Sequence, residues 1–184
     1  MKKVMVFGAS TSTQSINKRL AYFAGGLLDN VELDLIDLND FDMPIYSIDR
    51  ERENGIPEPA QRFMDRIKAS DGIIISFAEH NGSYSAAFKN IFDWISRMGK
   101  STWQEKPMLL MAASPGGRGG KSVLDAAVGR MPFNGGKVVS SFSLPFFSQN
   151  FDDNAGVTDP ELLSSLKEAL SKFEEAVHSP VSVD

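Results

Sequence analysis

The chain has 184 residues, 42% of them hydrophobic, which predicts one globular domain. Its formal net charge of −5 argues against a surface that tracks the phosphates of a nucleic acid. It contains no cysteine, which excludes disulfides and thiol catalysis and fits a reducing cytoplasm. His80 and His178 are too far apart in sequence to indicate a metal site, and no run reaches the roughly 20 apolar residues of a membrane span. We therefore expect a cytoplasmic protein with no metal, membrane or nucleic-acid partner.

Predicted strands and helices alternate along the whole chain. Short β-branched or alternating runs predict strands at 4–7, 31–36, 73–77, 107–113 and 137–142. Helical periodicity predicts helices at about 15–28, 60–69, 87–98 and 121–130, and a final helix that begins near 158–161. The second strand alternates around Glu32 and Asp34, which predicts an edge strand with one solvated side. Residues 37–59 contain clustered prolines and acidic residues and are predicted to form a long loop.

The stretch from Gly72 to Arg97 organises the predicted fold. Its apolar run from Ile73 to Phe77 is typical of a strand buried on both faces, as in parallel sheets. A polar bend follows, in which Asn81 and Gly82 favour positive φ. The helix after the bend has an apolar sector wider than one sheet face needs, which favours a second buried contact, such as another subunit.

Five strands with intervening helices predict an α/β fold, a three-layer α/β/α sandwich whose parallel, doubly wound sheet has the strand order 2-1-3-4-5. We predict a single domain over residues 1–178 and a frayed tail at 179–184. In this order the loops at 9–17, 78–84 and 114–120 meet at the carboxyl edge of the sheet, where open α/β sheets bind their ligands. The site is predicted at this edge.

The first of these loops is rich in hydroxyl groups. Ser10 to Thr13 and Ser15 directly precede a helix, whose N-terminal N–H groups and partial positive charge suit a phosphate. The alternative is a solvated loop in which Ser12 or Thr13 caps the helix, and the loop alone does not decide between the two. It is not a dinucleotide fingerprint, because the pattern G-x-G-x-x-G fails directly after Gly8.

The third loop, from Pro115 to Gly120, is rich in glycine. With Lys121 and Ser122 it partly matches a P-loop, but a proline stands at the first glycine position and little chain follows for a nucleotidase core. Four glycines are entropically unfavourable unless something approaches the backbone closely. A flat ring system is one such ligand, and a flexible turn is the alternative.

Five motifs are spread along nearly the whole chain: Gly8-Ala9-Ser10 with Ser15-x-Asn17, Ala78-Glu79-His80-Asn81-Gly82-Ser83, Phe88-Lys89-Asn90-Ile91-Phe92-Asp93-Trp94, Lys106-Pro107 with Ser114-Pro115-Gly116-Gly117, and Phe151-Asp152 with Gly156 and Asp159. They resemble the motifs G-S-x-R-x-x-S-x-N, P-E-Y-N-G-S, L-K-N-A-I-D-W, K-P…S-x-G-G and F-D…G…D of the NADPH-dependent FMN reductases and quinone or chromate reductases, which have the flavodoxin-like fold. The K-N-x-x-D-W element is the most specific of these.

The resemblance implies an enzyme that transfers hydride from NADPH or NADH through noncovalently bound FMN to a small acceptor, such as a flavin, a quinone, an azo compound or a metal oxyanion. It implies a homodimer or homotetramer with the helix from Phe88 to Met98 in the interface. It requires no catalytic side chain and places FMN contacts in all three loops. The implied cofactor-binding residues are Ser10, Ser12, Ser15, Ile16, Asn17, Glu79, His80, Asn81, Gly82, Ser83, Ser114, Gly116, Gly117 and Arg118.

Several residues depart from the family pattern. The phosphate loop is one residue longer and lacks the family's arginine, Lys18 and Arg19 lie inside the predicted helix, and Ala78 replaces a proline. These differences predict weaker FMN binding than is typical, and they leave open a flavodoxin-like electron carrier or a flavin-binding protein without NAD(P)H turnover. His80, which replaces a tyrosine, is either a turn residue or a group that tunes the flavin. Arg118 is either a solvated charge or an anchor for NADPH.

Overall fold

The computed structural model describes residues 1–179, which form an open parallel sheet with helices on both faces. The strands of the sheet are β1 (Lys2–Ala9), β2 (Val31–Ile36), β3 (Gly72–Phe77), β4 (Lys106–Ala113) and β5 (Gly136–Leu144). The helices are α1 (Ile16–Gly26), α2 (Ile48–Asn54), α3 (Glu58–Ala69), α4 (Ala86–Ile95), α5 (Lys121–Arg130), α6 (Phe147–Asn150) and α7 (Pro160–His178). The sheet order is β2-β1-β3-β4-β5 with every pair parallel, which confirms the predicted flavodoxin-like fold.

The central strands are buried on both faces because each lies between two layers of helices. Along β1, Met5 and Phe7 belong to one hydrophobic cluster and Val4 and Val6 to the other, as the alternating side chains of a strand require. The first cluster is covered by α3, α4 and α5, and the second by α1 and α7. The two helix layers are therefore fixed against the sheet, and the loops at its carboxyl edge lie between them.

The edge strand β2 differs from the prediction in the environment of its polar residues. Glu32 is exposed, but Asp34 is only 8% exposed and accepts a 2.7 Å hydrogen bond from Arg66 of α3. Leu35, on the opposite face of the strand, is 49% exposed. The predicted solvated position of Asp34 is therefore wrong. Its burial is tolerated because a helix distant in sequence supplies a cation, and a buried carboxylate needs such a partner.

The segment predicted as one long loop, 37–59, contains regular structure, so that prediction is wrong. A 3-10 turn spans Leu38–Phe41 and α2 spans Ile48–Asn54. The hydroxyl of Ser47 caps α2 by accepting a 3.2 Å bond from the Arg50 N–H. No residue of α2 is buried, so the helix lacks the apolar periodicity by which a sequence reveals a helix.

The broad apolar sector of α4 is covered within the chain. Trp94 Nε1 donates a 2.7 Å bond to the Pro44 carbonyl, and the Trp94 ring meets Tyr46 edge-on with 5.0 Å between the ring centroids. Asn90 accepts a 2.8 Å bond from the Tyr46 N–H and donates a 3.2 Å bond to the Met43 carbonyl. Asn90 and Trp94 of the K-N-x-x-D-W element thus hold residues 43–46 against α4. The width of the apolar sector is explained without a second subunit.

A small hairpin and a long helix complete the described chain. After α6, β6 (Phe151–Asp152) and β7 (Gly156–Val157) pair antiparallel, and strands this short carry no periodicity that a sequence could reveal. Ser179 closes α7 by donating its N–H and its hydroxyl to the Glu175 carbonyl, at 2.9 and 2.7 Å. The rest of the predicted tail, 180–184, lies outside the described residues. None of the helices described above is both long and apolar enough to cross a membrane.

Candidate functional site

Three loops meet at the carboxyl edge of the sheet, as the strand order predicts. They are named here the first loop (10–15), the second loop (78–84) and the third loop (114–120). In the strand register Ala9 at the end of β1 lies opposite Phe77 at the end of β3, which in turn lies opposite Ala112 of β4. The Ser85 hydroxyl also donates a 2.7 Å bond to the Ala9 carbonyl. The loops that leave these adjacent strands are therefore neighbours.

The first loop ends in a capped helix whose first amides are left without acceptors. Ser15, three positions after Ser12, is the cap of α1, and its Oγ accepts a 3.1 Å bond from the Lys18 N–H. The N–H groups of Ile16 and Asn17 have no acceptor within the described part of the chain. Unbonded amides in the first turn of a helix, together with its partial positive charge, form a site for an anion.

The side chain of Asn17 points inward rather than toward the first loop. Its Nδ2 donates to the Ala113 carbonyl at 3.1 Å, and its Oδ1 accepts from the Ala113 N–H at 2.8 Å and from the Ser76 hydroxyl at 2.7 Å. Asn17 is only 3% exposed. Its side chain therefore ties α1 to β3 and β4, which differs from the expected contact with a phosphate. Only its backbone N–H remains available to an anion.

The two cations at the start of α1 are paired with acidic side chains outside the first loop. Lys18 Nζ lies 2.6 Å from a carboxylate oxygen of Asp37, and this bond raises the pKa of Lys18 and lowers that of Asp37. Arg19 pairs with Asp153 and lies over the ring of Phe147, 5.0 Å from its centroid. Both side chains are engaged elsewhere, so the first loop itself offers an anion only neutral groups.

The second loop is a tight turn at the edge of the sheet. Asn81 and Gly82 have φ of +52° and +73°, which confirms the predicted positive φ of this pair. His80 and Ser83 exchange two backbone hydrogen bonds of 3.0 and 3.1 Å across them. An Asn-Gly pair with positive φ at both positions is typical of a type I′ turn. These four residues are all exposed, so the turn presents its free polar groups to solvent.

Glu79 joins the second loop to the third. Its carboxylate accepts a 3.0 Å bond from the N–H of Val123 in the first turn of α5. The helix lacks a side-chain cap of its own because its N-cap is Gly120. The Glu79 side chain is therefore directed toward α5 and fixes the spacing between the two loops.

The third loop uses most of its glycines for packing within the chain. A Cβ on Gly117 would come within 2.7 Å of the Phe146 ring. Gly119 and Gly120 have φ of +59° and +70°, and a Cβ on either would collide with β5 or β4. A Cβ on Gly116 would meet nothing within 4 Å. A flat ligand is therefore not needed to explain these glycines, and Gly116 is the one of the four that opens onto free space.

The polar side chains of the third loop lie at its rim. Arg118 is exposed and donates a 2.8 Å bond to the Ser122 hydroxyl. It forms no ion pair with any carboxylate in residues 1–179. The Ser114 hydroxyl donates a 3.0 Å bond to the Gly116 carbonyl, which closes the loop on itself. The guanidinium charge is therefore available to an anionic ligand at the edge of the site.

A groove beside the first loop involves residues that the sequence did not predict. It has a volume of about 420 Å³ and lies between Thr11, the 38–43 segment and the α4 residues Ala87, Asn90 and Ile91. Its position depends on the hydrogen bonds that hold the 38–43 segment to α4. No local pattern in the sequence predicts these bonds. Among the residues that the structure describes, no cluster of three or more His, Asp or Glu side chains is arranged to hold a metal ion.

The family model of the NADPH-dependent FMN reductases matches residues 2–150, a range that contains all three loops. The chain belongs to the NADPH-dependent FMN reductase family. The family predicted from the motifs is thereby confirmed.

Relatives of this FMN reductase family member include bacterial quinone reductases. The chain is 34% identical to a quinone reductase of Escherichia coli (strain K12) over 79 residues, which are 43% of this chain and 42% of that protein. It is 34% identical to a quinone reductase of Pseudomonas putida over 119 residues, 64% of this chain and 62% of that protein. The matches therefore span only part of the length of these relatives.

A solved structure is similar over nearly the whole fold. FerB from Paracoccus denitrificans, described as a flavoenzyme NAD(P)H:(acceptor) oxidoreductase, matches with a TM-score of 0.77 and 26% identity. The match covers 96% of this chain and 97% of FerB. The flavodoxin-like arrangement of this FMN reductase family member is thus shared with a flavoenzyme of the same size.

Three supporting residues of this FMN reductase family member were not predicted as part of the site. Ser76 is fully buried and donates its hydroxyl to Asn17. The sequence feature that could have identified it is a polar residue inside an otherwise apolar strand. Ser85 caps α4 and binds the end of β1, and its signal was a hydroxyl directly before a helix. Asp37 pairs with Lys18, and it had no local signal because its partner is distant in sequence.

Proposed function

We propose that this chain is an NAD(P)H-dependent oxidoreductase that binds FMN noncovalently and passes hydride from NADPH or NADH through it to a small acceptor, such as a flavin, quinone, azo compound or metal oxyanion. Its family supports this reaction. The observation that carries the proposal is that three loops meet at one sheet edge, one of them ending in a helix with unbonded amides. Bound FMN would supply the redox chemistry, while the chain supplies binding and orientation.

The phosphate of FMN is proposed to lie on the first loop and the start of α1. The hydroxyl oxygens of Ser10, Ser12 and Ser15 each accept a backbone N–H, and none of these hydroxyls donates a hydrogen bond within residues 1–179. These hydroxyls and the N–H groups of Ile16 and Asn17 would donate to the phosphate. Because the nearby cations are paired with acidic residues, no charge-assisted bond is added, and we expect weaker retention than with an arginine.

The isoalloxazine ring is proposed to lie between the second and third loops. The residues proposed to line it are Glu79, His80, Asn81, Gly82 and Ser83 on one side, and Ser114, Gly116, Gly117 and Arg118 on the other. Glu79 would contribute its backbone, because its carboxylate is bonded to Val123. The N–H groups of Asn81 and Gly82 have no acceptor in residues 1–179 and would serve as donors to the ring. Fixed donors of this kind stabilise negative charge that develops on a bound group.

The proposed function is tested with purified protein in two steps. FMN is first titrated into the apoprotein, where quenching of flavin fluorescence reports binding. NADPH oxidation is then followed with and without a quinone acceptor. Binding with acceptor-dependent oxidation is the expected result. Binding without NADPH or NADH oxidation would instead indicate an electron carrier or a flavin-binding protein, and the absence of FMN binding would overturn the proposal.

Arg118 is proposed to anchor the phosphates of NADPH, because its charge is exposed at the rim and has no carboxylate partner in residues 1–179. Arg118→Ala is expected to raise the KM for NADPH about tenfold, because one charge-assisted contact is lost. The kcat should change little. Lys172→Ala on α7 removes the same charge far from the loops and is expected to leave both constants unchanged. An unaltered KM in the Arg118 variant would remove this role.

We propose a homodimer or homotetramer that uses the outer face of α4. Ile45 is 75% exposed and lines a surface groove of about 380 Å³ together with Ala86 and Ala87. Lys89 and Asp93 form an ion pair on the same helix, so a two-fold copy would meet complementary charges. Sedimentation is expected to show an oligomer that Ile45→Asp converts to monomer. A wild-type monomer at micromolar concentration would contradict this assembly.

A cytoplasmic location is also proposed. It is supported by the cysteine-free composition, since the chain has no thiols that an oxidising compartment would pair. Cell fractionation with an antibody to the protein tests the location, and recovery in a secreted or membrane fraction would contradict it.

A further inference from the structure

Phe146, between β5 and α6, has an unusual backbone conformation. Its φ of +46° and ψ of +55° place it in the left-handed region. Among residues 1–179 the other non-glycine residues with positive φ are Asn, Gln or Glu. A bulky aromatic residue rarely adopts this conformation, because its Cβ crowds the backbone, and such outliers cluster at functional sites.

The surrounding structure holds Phe146 in place from both sides. Its N–H donates a 3.1 Å bond to the Gly116 carbonyl of the third loop, and its own carbonyl accepts bonds of 2.9 and 3.1 Å from the N–H groups of Gln149 and Asn150. The next N–H, that of Phe147, donates a 3.1 Å bond to the Ser114 carbonyl. The left-handed turn is thus joined directly to the third loop.

The two neighbouring phenylalanines have opposite environments. Phe147 is 4% exposed and stacks on Phe151, with 4.6 Å between the ring centroids. Phe146 is 44% exposed, and its ring lies so close to Gly117 that a Cβ there would come within 2.7 Å of it. The strained backbone therefore holds an aromatic ring at the surface, against the loop that also contains the open Gly116.

We propose that Phe146 determines specificity for the electron acceptor by forming an aromatic wall above the third loop. This inference rests on the proposed function, which places the flavin ring against that loop. A planar aromatic acceptor, such as a naphthoquinone, would stack on the exposed ring, because offset aromatic pairs attract. A small inorganic acceptor such as ferricyanide has no π face and gains nothing from this wall.

Three variants separate the ring from the backbone turn. Phe146→Gly removes the ring and adopts positive φ freely, so it is expected to fold at least as well as the wild type. Phe146→Ala removes the ring but keeps the unfavourable conformation. Phe146→Tyr keeps the aromatic face and should behave as the wild type. Phe133→Ala is the matched control, because Phe133 is 79% exposed and lies after α5, away from the three loops.

With FMN bound, Phe146→Gly and Phe146→Ala are expected to raise the KM for a naphthoquinone about 2- to 10-fold, the size of one aromatic pair. The constants for ferricyanide and NADPH should not change. Titration of the quinone into the oxidised holoprotein without NADPH, followed by the flavin absorbance, should show the same loss of affinity. Unchanged quinone affinity in a Phe146→Gly protein that retains FMN overturns this inference alone. Failure of the wild type to bind FMN overturns the proposed function instead.

Discussion

Asn17→Ala is expected to lower the free energy of unfolding by about 3 kcal/mol or more and to abolish FMN retention. The alanine leaves the Ala113 N–H, the Ala113 carbonyl and the Ser76 hydroxyl without partners. Each buried polar group left unsatisfied costs about 1–3 kcal/mol. Because these bonds hold the start of α1 against two strands, the amides proposed to bind the phosphate would lose their fixed position. Urea unfolding of the apoprotein measures the stability, and fluorescence quenching measures FMN retention.

Two companion variants test whether the three bonds act together. Ser76→Ala removes one bond and should cost about 1 kcal/mol, and combined with Asn17→Ala it should cost less than the sum of the single changes. Asn154→Ala changes an exposed asparagine in the turn between β6 and β7 and should shift stability by less than about 0.5 kcal/mol. Wild-type stability in Asn17→Ala would show that the three Asn17 hydrogen bonds do not stabilise the fold. Tight FMN binding by a destabilised variant would show that these bonds are not needed for the phosphate site.

The fold was predictable because its strands carry strong local signals. Ile73 to Phe77 is apolar, β-branched and bounded by a turn, and it forms the fully buried β3. The alternation of strands with helices then leaves few topologies, since parallel crossovers are right-handed. The prediction failed for local structure that has no apolar periodicity in its sequence. The helix α2 buries none of its residues, so its sequence has the composition of a loop.

The position of the candidate site was predictable, but the roles of its side chains were not. The strand order alone brings the three loops to one edge. The Asn17 side chain, however, bonds to a residue 96 positions away, and the Glu79 carboxylate bonds to one 44 positions away. A motif identifies such residues as important without showing whether they face the ligand or the protein. Both of these side chains face the protein and support the loops.

The asparagine of the K-N-x-x-D-W element illustrates the same limit. Asn90 lies on the predicted helix, yet its amide bonds to the 43–46 segment, which the sequence described only as a loop. The apolar width of α4 suggested a partner subunit, and the chain itself supplies the covering residues Pro44 and Tyr46. A periodicity reports that a face is buried. It does not report which part of the chain, or which chain, covers it.

Gly8→Ala is expected to destabilise the protein by about 3 kcal/mol or more and to displace the first loop. The φ of Gly8 does not lie in the left-handed region, so the cause is the close approach of α1 to β1. A Cβ at this position would lie 2.5 Å from the Lys18 Cα and 2.8 Å from the Asn17 carbonyl carbon. These are backbone atoms, which cannot turn aside as a side chain does, so the helix start must shift.

Gly26→Ala is the matched control for this prediction, because Gly26 ends α1 and a Cβ there would meet nothing within 4 Å. This change should be neutral or stabilise by up to about 1 kcal/mol, since alanine is the better helix former. Urea unfolding of both apoproteins compares them directly, and FMN titration shows whether the displaced helix start still binds. If Gly8→Ala were as stable as Gly26→Ala, β1 and α1 would have to lie farther apart than the structure places them. The amides of Ile16 and Asn17 would then not be held at the edge of the sheet. The phosphate position proposed at these amides would be wrong, because it depends on the close contact between α1 and β1.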